Sequence, residues 1–386
     1  MRCKYSLLYA TRRKNEPIKG KILSDGVVKS ALRPAWKHIR RLGRLLRWAG
    51  VALPSIATGA AANSSRLLLI YDFSSQPFSI GDILIFQEAS LVLRTDLGLD
   101  KTDIALVYDP SAPAVPDPAF AHIGAEDFLF HLSSILPAAQ VNPYLGSLLL
   151  FDSHRLLEKY IADNIDFYHV WPTLKQYAAK EYLFHYCFNH LFSEHFAKHG
   201  RLPALQSRRA ALNWAKGFLA QHAGDALAVT VQLRKNPANP KRNSNYEAWL
   251  AFFRQCAGRY HARFIVICQH SEIDARLREI PNVVVAKDYG TTLEQDLALL
   301  EAGACHMGAA SGPGTMVQFN GKPYCMFNWD LDVKTLRGLI KEGHRYRHEF
   351  STPLQSWLFE TETEQILSAE FERIWAHLEH QDAVSD

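Results

Sequence analysis

The sequence predicts an α/β fold in which two Rossmann-like βαβ domains face each other across a cleft, with a basic helical extension ahead of them. Three observations carry this expectation. From residue 66 onward, short apolar runs rich in Leu, Ile and Val alternate with longer amphipathic ones, the rhythm of strand–helix units in a parallel sheet. The rhythm occurs twice, in series of similar length, separated by a long helical stretch. Finally, 48% hydrophobic residues over 386 positions suffice to bury two cores, which excludes disordered and collagen-like chains.

In chain order, the first series contains candidate strands 66–72 (RLLLIYD), 103–109 (DIALVYD), 147–152 (SLLLFD) and 167–171. A helical region follows from about Thr173 to His222, broken near Gly200 to Pro203. The second series contains 227–233 (LAVTVQL), 263–268 (RFIVIC), 282–286 (NVVVA), 304–308 and 323–327. Leu367, Phe371, Ile374 and Leu378 then repeat at helical spacing, so an amphipathic helix closes the chain. The corresponding division is 1–65 for the basic extension, 66–205 and 206–345 for the two domains, and 346–386 for a helical segment.

The net charge of +4 conceals an asymmetry. Residues 1–50 hold 14 Lys and Arg against Glu16 and Asp25, a balance of +12, and the remainder holds 29 basic and 37 acidic residues, a balance of −8. Within the extension, residues 34–49 place Trp36, Ile39, Leu42, Leu45, Leu46 and Ala49 on one helical face and Lys37, Arg40, Arg41, Arg44 and Arg47 around the rest. Such a helix suits an anionic membrane surface, and it equally suits docking on the body or a loosely ordered extension. A nucleic-acid partner is not indicated, because the body has no basic stripe with interleaved aromatics. The start of the chain has only a short apolar run with no cleavage site, and no run approaches the roughly 20 apolar residues of a spanning helix. A cytoplasmic location is expected. The six cysteines form no C-x-x-C pair, so neither a zinc ribbon nor a disulfide framework is expected; Cys268, Cys305 and Cys325 read as buried thiols.

Ligands of open α/β sheets bind where loops leave the carboxyl ends of strands, and three such loops stand out. After 66–72, a polar turn with Gly81 and Asp82 opens a helix. Asp82 reads either as a favourable first-turn carboxylate or as a base facing the cleft, and Asp72 is a weaker candidate. After 227–233 comes Arg234-Lys235-Asn236-Pro237-Ala238-Asn239-Pro240-Lys241-Arg242-Asn243-Ser244-Asn245, with four cations and four asparagines. Arg forks and Lys point charges suit a polyanionic ligand; a solvated loop is the bland alternative. Asn243 or Ser244 is the expected cap of the next helix. After 304–308 comes Gly308-Ala309-Ala310-Ser311-Gly312-Pro313-Gly314-Thr315, whose small residues let a backbone approach a phosphate at a helix start near Pro313. It is neither a P-loop, a dinucleotide fingerprint nor a nucleophile elbow, which leaves another kind of phosphate turn or a tight strand–helix turn.

Other clusters are weaker. His185, His190, His195 and His199 crowd one helix, and the last two are spaced as metal ligands can be, but no third ligand is evident. Asp330-Leu331-Asp332 has the form of a cation-holding pair and reads more simply as two acids after a strand. Glu247, Glu294 and Asp296 read as helix-surface or cap residues.

The turn Ser79-Ile80-Gly81-Asp82-Ile83-Leu84, the helix running to Leu93-Arg94, and the late Ala310-Ser311-Gly312-Pro313-Gly314-Thr315 turn followed by Gly321-Lys322-Pro323 and a strand together resemble the lipopolysaccharide heptosyltransferase family, over most of residues 66–330. The chain departs from that family in having no histidine after the glycine of the late turn. An arginine closing the first strand of the second domain also resembles the fucosyltransferases. The resemblance implies a GT-B-type glycosyltransferase that transfers a sugar, with inversion and without metal or cofactor, from a nucleotide-sugar donor to a glycan or lipid-linked acceptor in cell-envelope glycan synthesis. It implies Asp82 as base, Arg234 as catalytic cation, and Lys235, Asn236, Arg242, Ser311, Gly312, Gly314 and Thr315 as donor contacts. A binding protein without turnover and a nucleotide-sugar epimerase share the scaffold.

Overall fold

The computed structural model describes residues 64–109, 132–133, 136–179, 186–237, 240–328 and 339–385. The basic segment 34–49 and Asp330-Leu331-Asp332 lie outside these residues. The described residues all belong to one compact unit, Trp48–Asp386. None of their helices is long and apolar enough to cross a membrane.

Each apolar series forms its own parallel sheet. Strands β1 (Arg66–Asp72), β2 (Lys101–Val107), β3 (Leu145–Phe151) and β4 (Tyr168–Trp171) are arranged in the order β3-β2-β1-β4, all parallel. β1 and β2 are buried along nearly their whole length, as befits strands covered on both faces. At their edge Arg66 donates to both oxygens of the buried Asp103 at 2.8 and 2.6 Å, and the Tyr168 hydroxyl donates to the same carboxylate at 2.9 Å. This pairing joins β1, β2 and β4.

The second sheet contains β5 (Leu227–Gln232), β6 (Ala262–Ile267), β7 (Val283–Val285), β8 (Cys305–Ala309), β9 (Tyr324–Phe327), β10 (Leu339–Glu342), β11 (Arg345–His348) and β12 (Gln355–Leu358), in the order β10-β11-β12-β9-β8-β5-β6-β7. From β7 to β12 the strands run parallel, and β11 and β10 add an antiparallel margin. The helical segment read over 346–386 holds the helix that Leu367, Phe371, Ile374 and Leu378 predict, but it begins by completing β11 and then supplies β12, which is wholly buried. Its QSWL run is too short for periodicity to separate strand from helix.

The helices are α1 (Ile80–Asp96), α2 (His154–Asn164), α3 (Leu174–Ala179), α4 (Tyr186–His199), α5 (Arg209–His222), α6 (Tyr246–Cys256), α7 (Leu293–Ala302) and α8 (Glu364–Ser385). The second core is aromatic: Trp249, Phe252 and Phe253 of α6 meet Phe264 of β6 and Phe371 of α8, all fully buried. Four cysteines, Cys256, Cys268, Cys305 and Cys325, are free and buried in this half. Burial pushes the thiols of Cys268 and Cys305 up to about 12, so they pack as small hydrophobes.

Several contacts among the described residues join the halves. Phe192 of α4 packs on Phe319 and Phe350 at ring separations of 5.0 and 5.9 Å, and α1 packs on the 3-10 turn Pro313–Val317. Because Phe371 edges onto Phe252 and Tyr260, Phe371→Ala is expected to cost about 3–5 kcal/mol, read as a lowered denaturation midpoint with unchanged secondary structure.

Candidate functional site

Strand order decides where a ligand can sit. In the first sheet the chain moves from β1 to β2 and β3, then crosses to β4 on the other side of β1; in the second it moves from β5 to β6 and β7, then crosses to β8. Such reversals open a crevice at the strands' carboxyl ends. The three loops singled out from sequence leave β1, β5 and β8, the strands that flank these reversals.

The β1 loop is shaped by Asp72. Its main-chain carbonyl accepts from Ser75 and Gln76 N–H at 2.9 and 2.7 Å, and its buried carboxylate accepts from Ser74 N–H at 2.8 Å. Tyr71 hydroxyl closes the loop on the Pro77 carbonyl at 2.6 Å. Ser79 then caps α1, its oxygen accepting the N–H of Asp82. Asp82 is thus a half-buried first-turn residue, and the next residue back, Gly81, touches the other half of the molecule. A methyl group on Gly81 would stand 3.2 Å from Gly312 Cα and 3.4 Å from Thr315 Oγ1; one on Gly312 would stand 2.9 Å from both Gly81 N and Ile80 Cβ. A side chain at Gly312 would force its neighbours to shift, and one at Gly81 would need Gly312 to give by a few tenths of an ångström, so the Asp82 turn and the Ser311–Thr315 turn meet glycine to glycine.

The β5 and β8 loops are also joined. Gln232 and Gly308 are register partners on adjacent strands, and Gly308 has φ 140° with the Gln232 carbonyl where a side chain would stand, so only glycine fits. Beyond them, Arg242 Nη2 donates to the Ala310 carbonyl at 2.5 Å. The basic loop is closed by its own polar groups: Ser244 exchanges two bonds with the Arg234 main chain at 2.9 and 3.2 Å, and Asn236 N–H donates to Asn243 Oδ1 at 2.7 Å. The helix cap is Asn245, not Asn243 or Ser244, because those two side chains are already used in closing the loop. Lys235 ties its N–H to Glu272 at 3.2 Å and carries its ammonium 5.8 Å above the Tyr246 ring.

The turn after β8 is a five-residue 3-10 helix with no side-chain cap, shorter than the helix start expected there. Its interest lies in buried atoms that lack a protein partner among the described residues: Ser311 Oγ, Arg234 Nε and His306 Nε2. Ser311 Oγ and His306 Nε2 both lie beside Gly314, 3.6 and 3.4 Å from the position of a methyl group there. His306 is fully buried on β8 with Nδ1 3.1 Å from Thr230 Oγ1, and burial lowers its pKa to about 4; it is therefore neutral at pH 7. Buried polar atoms without a partner occur elsewhere in the molecule as well, at Glu88 and Trp249 for example, but these three lie on or beside two of the three loops, where a ligand can reach them. His306 was missed in the sequence because a histidine in the strand CHMGA carries no motif.

A second group missed from sequence lies at the ends of the first sheet. His154, the first residue of α2, sets Nε2 2.9 Å from Asp72 Oδ2 and Nδ1 2.9 Å from Asp109 Oδ2, while Tyr177 hydroxyl donates to Asp72 at 2.8 Å. Burial opposes both charges, but each is outweighed by its partners: His154 titrates above its ordinary value and Asp72 below. With Ser74, His154 and Tyr177 on its carboxylate, Asp72 ties the β1 loop to α2 and α3. Among the other weak candidates, Asp296 is held by Lys287 and Thr291, Glu247 pairs with Arg276 and Glu294 with Arg208, all as support. Arg94, at the end of α1, stacks on the Tyr144 ring at 3.5 Å and donates to the Leu99 carbonyl.

The fold and these loops define a two-sheet α/β protein with polar turns from both sheets brought together at the reversals of strand order. The sequence matches no family model and no curated protein. Among solved structures the chain is similar to a glycosyl transferase family 9 protein from Veillonella parvula, at 11% identity and TM-score 0.43 over 68% of this chain and 80% of that one. It is also similar to ADP-heptose LPS heptosyltransferase II of E. coli, at 9% identity and TM-score 0.48 over 81% and 99%. The E. coli heptosyltransferase WaaC with ADP is similar at 14% identity and TM-score 0.44 over 80% and 99%.

The His154 clamp makes a pH-dependent contribution. Its protonated form is favoured by folding, so the contribution is complete below the ordinary value near 6.5 and fades as pH rises through the raised one; the Asp72 part persists above about 3.8 and is lost as pH falls through its lowered value. His154→Gln is expected to cost about 1–3 kcal/mol at pH 6, and denaturant titrations should show the wild-type advantage shrinking by pH 9.

Proposed function

We propose that this chain is a GT-B-type glycosyltransferase that moves a sugar from a nucleotide-sugar donor to a glycan or lipid-linked acceptor, with inversion and without a metal at the diphosphate. The observation that carries this reading is the meeting of the three loops: Gly81 against Gly312, and Arg242 on the Ala310 carbonyl. It sets a carboxylate turn from one sheet against a small-residue turn from the other, with a cationic loop tied to the latter. The motifs 79–84 and 310–315 that resemble the heptosyltransferase family are the two turns in contact.

In this mechanism Asp82 takes the proton of the acceptor hydroxyl while its oxygen attacks the anomeric carbon. The bond from that carbon to the diphosphate breaks on the opposite face, which inverts the centre. The departing diphosphate gathers negative charge, and Arg234 and Lys235 stabilise it. The Arg234 Nε that lacks a protein partner is a donor such a ligand can satisfy. Ser311, Gly312, Gly314 and Thr315 seat the phosphates through small residues and a hydroxyl, while Asn236 and Arg242 hold the loop that presents the cations. The basic segment 34–49 belongs to the same reading, holding the enzyme at an anionic membrane surface on the cytoplasmic side.

Two variants test the reading. Asp82→Asn should lower turnover by about 10²- to 10⁴-fold, the range of a general base, with donor affinity retained; unchanged turnover removes Asp82 from the chemistry. Arg234→Ala should weaken nucleoside diphosphate binding by about 1.5–3 kcal/mol in calorimetry across UDP, GDP, ADP, CDP and dTDP. Tight nucleotide binding with no transfer from any donor would instead identify a binding protein.

A further inference from the structure

The helical pair His195 and His199 has no third ligand nearby in sequence, but the fold supplies one. Asp96, the last residue of α1, lies across from α4 with Oδ1 3.0 Å from His195 Nδ1 and 3.0 Å from His199 Nε2. One oxygen thus faces one ring nitrogen from each histidine, and the three donor atoms all lie within 4.8 Å of one another. Donors around a tetrahedral zinc ion at 2.0–2.1 Å stand roughly 3.3 Å apart, so the two Asp–His separations need only lengthen by a few tenths of an ångström to admit one. We propose that Asp96, His195 and His199 form a site for a zinc-class divalent cation that pins α4 to the end of α1.

Four features of the surroundings favour a cation of this class. Two imidazoles and one carboxylate make a borderline donor set, suited to Zn²⁺ over Mg²⁺ or Ca²⁺. The i, i+4 spacing puts both rings on one face of α4, with centroids 4.3 Å apart. His195 is 3% exposed, so its ring is already held in place by the residues packed around it. Asp96 stands at the carboxyl end of a 17-residue helix, the negative end of its dipole. The Lys198 ammonium, 3.5 Å from Asp96 Oδ1, opposes a cation, but this side chain is 62% exposed and free to turn into water.

The site is separate from the proposed chemistry, because Asp82 and Asp96 are 14 residues apart on α1, about 21 Å along the axis. Its consequence is mechanical. His195 and His199 of α4 meet Asp96 at the end of α1, and Phe192, one turn earlier on the same helical face, packs on Phe319 and Phe350 in the second half. A cation that fastens α4 to α1 stiffens the joint between the two sheets.

The experiment is zinc titration of the full-length, chelator-treated chain against a competing colour indicator, with a parallel thermal melt. The wild type should bind one equivalent tightly and melt at a higher temperature with zinc than with chelator. His199→Ala and Asp96→Asn, both at the surface end of the cluster, should lose that equivalent or bind it at least 100-fold more weakly, with unchanged circular dichroism, and His199→Asp should recover part of it. A wild-type chain with no tight zinc overturns the proposal without recourse to a variant. Equal stoichiometry and affinity in the folded variants also overturns it, by placing the zinc elsewhere. Neither result bears on Asp82 or Arg234, whose test is turnover and nucleotide binding.

Discussion

The close approach of Gly81 and Gly312 is the constraint on which the arrangement of the site depends. A Cβ on Gly312 would stand 2.9 Å from Gly81 N and Ile80 Cβ and push the turns apart, and one on Gly81 would press on Gly312 Cα at 3.2 Å. Separation would have two effects together. It would lift the amino end of α1 from the 3-10 turn after β8, and it would remove the Asp82 turn from the neighbourhood of the small-residue loop. Interiors pack at crystal-like density, so such a contact cannot be stretched gradually. The two glycines are therefore a joint as well as a boundary of the site.

Around that joint the structure separates polar groups that support the fold from those left for something else. Asp72, Asp103, Asp296 and Glu370 are buried and each is met by several donors, so their charges stabilise particular crossings of the chain. Asn243, Ser244 and Asn245 are spent in closing the basic loop and capping α6. By contrast Arg234 Nε, Ser311 Oγ and His306 Nε2 have no protein partner among the described residues. Burying such groups unpaired is costly, and a ligand that brings acceptors and donors to them offsets that cost.

Much of this was readable locally. The nine strands of the two βα series lie within about two residues of the expected positions; for β1, β2 and β8, buried along nearly their whole length, this follows because a strand buried on both faces must be a continuous apolar run. The loops were readable because charge, glycine and asparagine cannot be accommodated inside such a run and so mark its carboxyl end. What was not readable was which residues those loops would meet. His154 is an ordinary helix-start histidine until Asp72 and Asp109 converge on it, and the cap at Asn245 depends on Asn243 and Ser244 being used elsewhere. The strand 355–358 escaped notice because four residues have no period, and it is defined by pairing with Tyr324–Phe327.

The sequence by itself therefore determined the α/β class, the two series, the positions of the polar loops and the candidate residues on them, since each follows from periodicity and composition within a few neighbouring residues. Only the tertiary structure decided strand order, and with it the place of β1, β5 and β8 beside the reversals. It also decided the Gly81–Gly312 contact, the burial of His306 and the union of Asp96 with His195 and His199. These are contacts between segments far apart in the chain, set by how whole faces pack, and local patterns do not encode which distant face will be the partner.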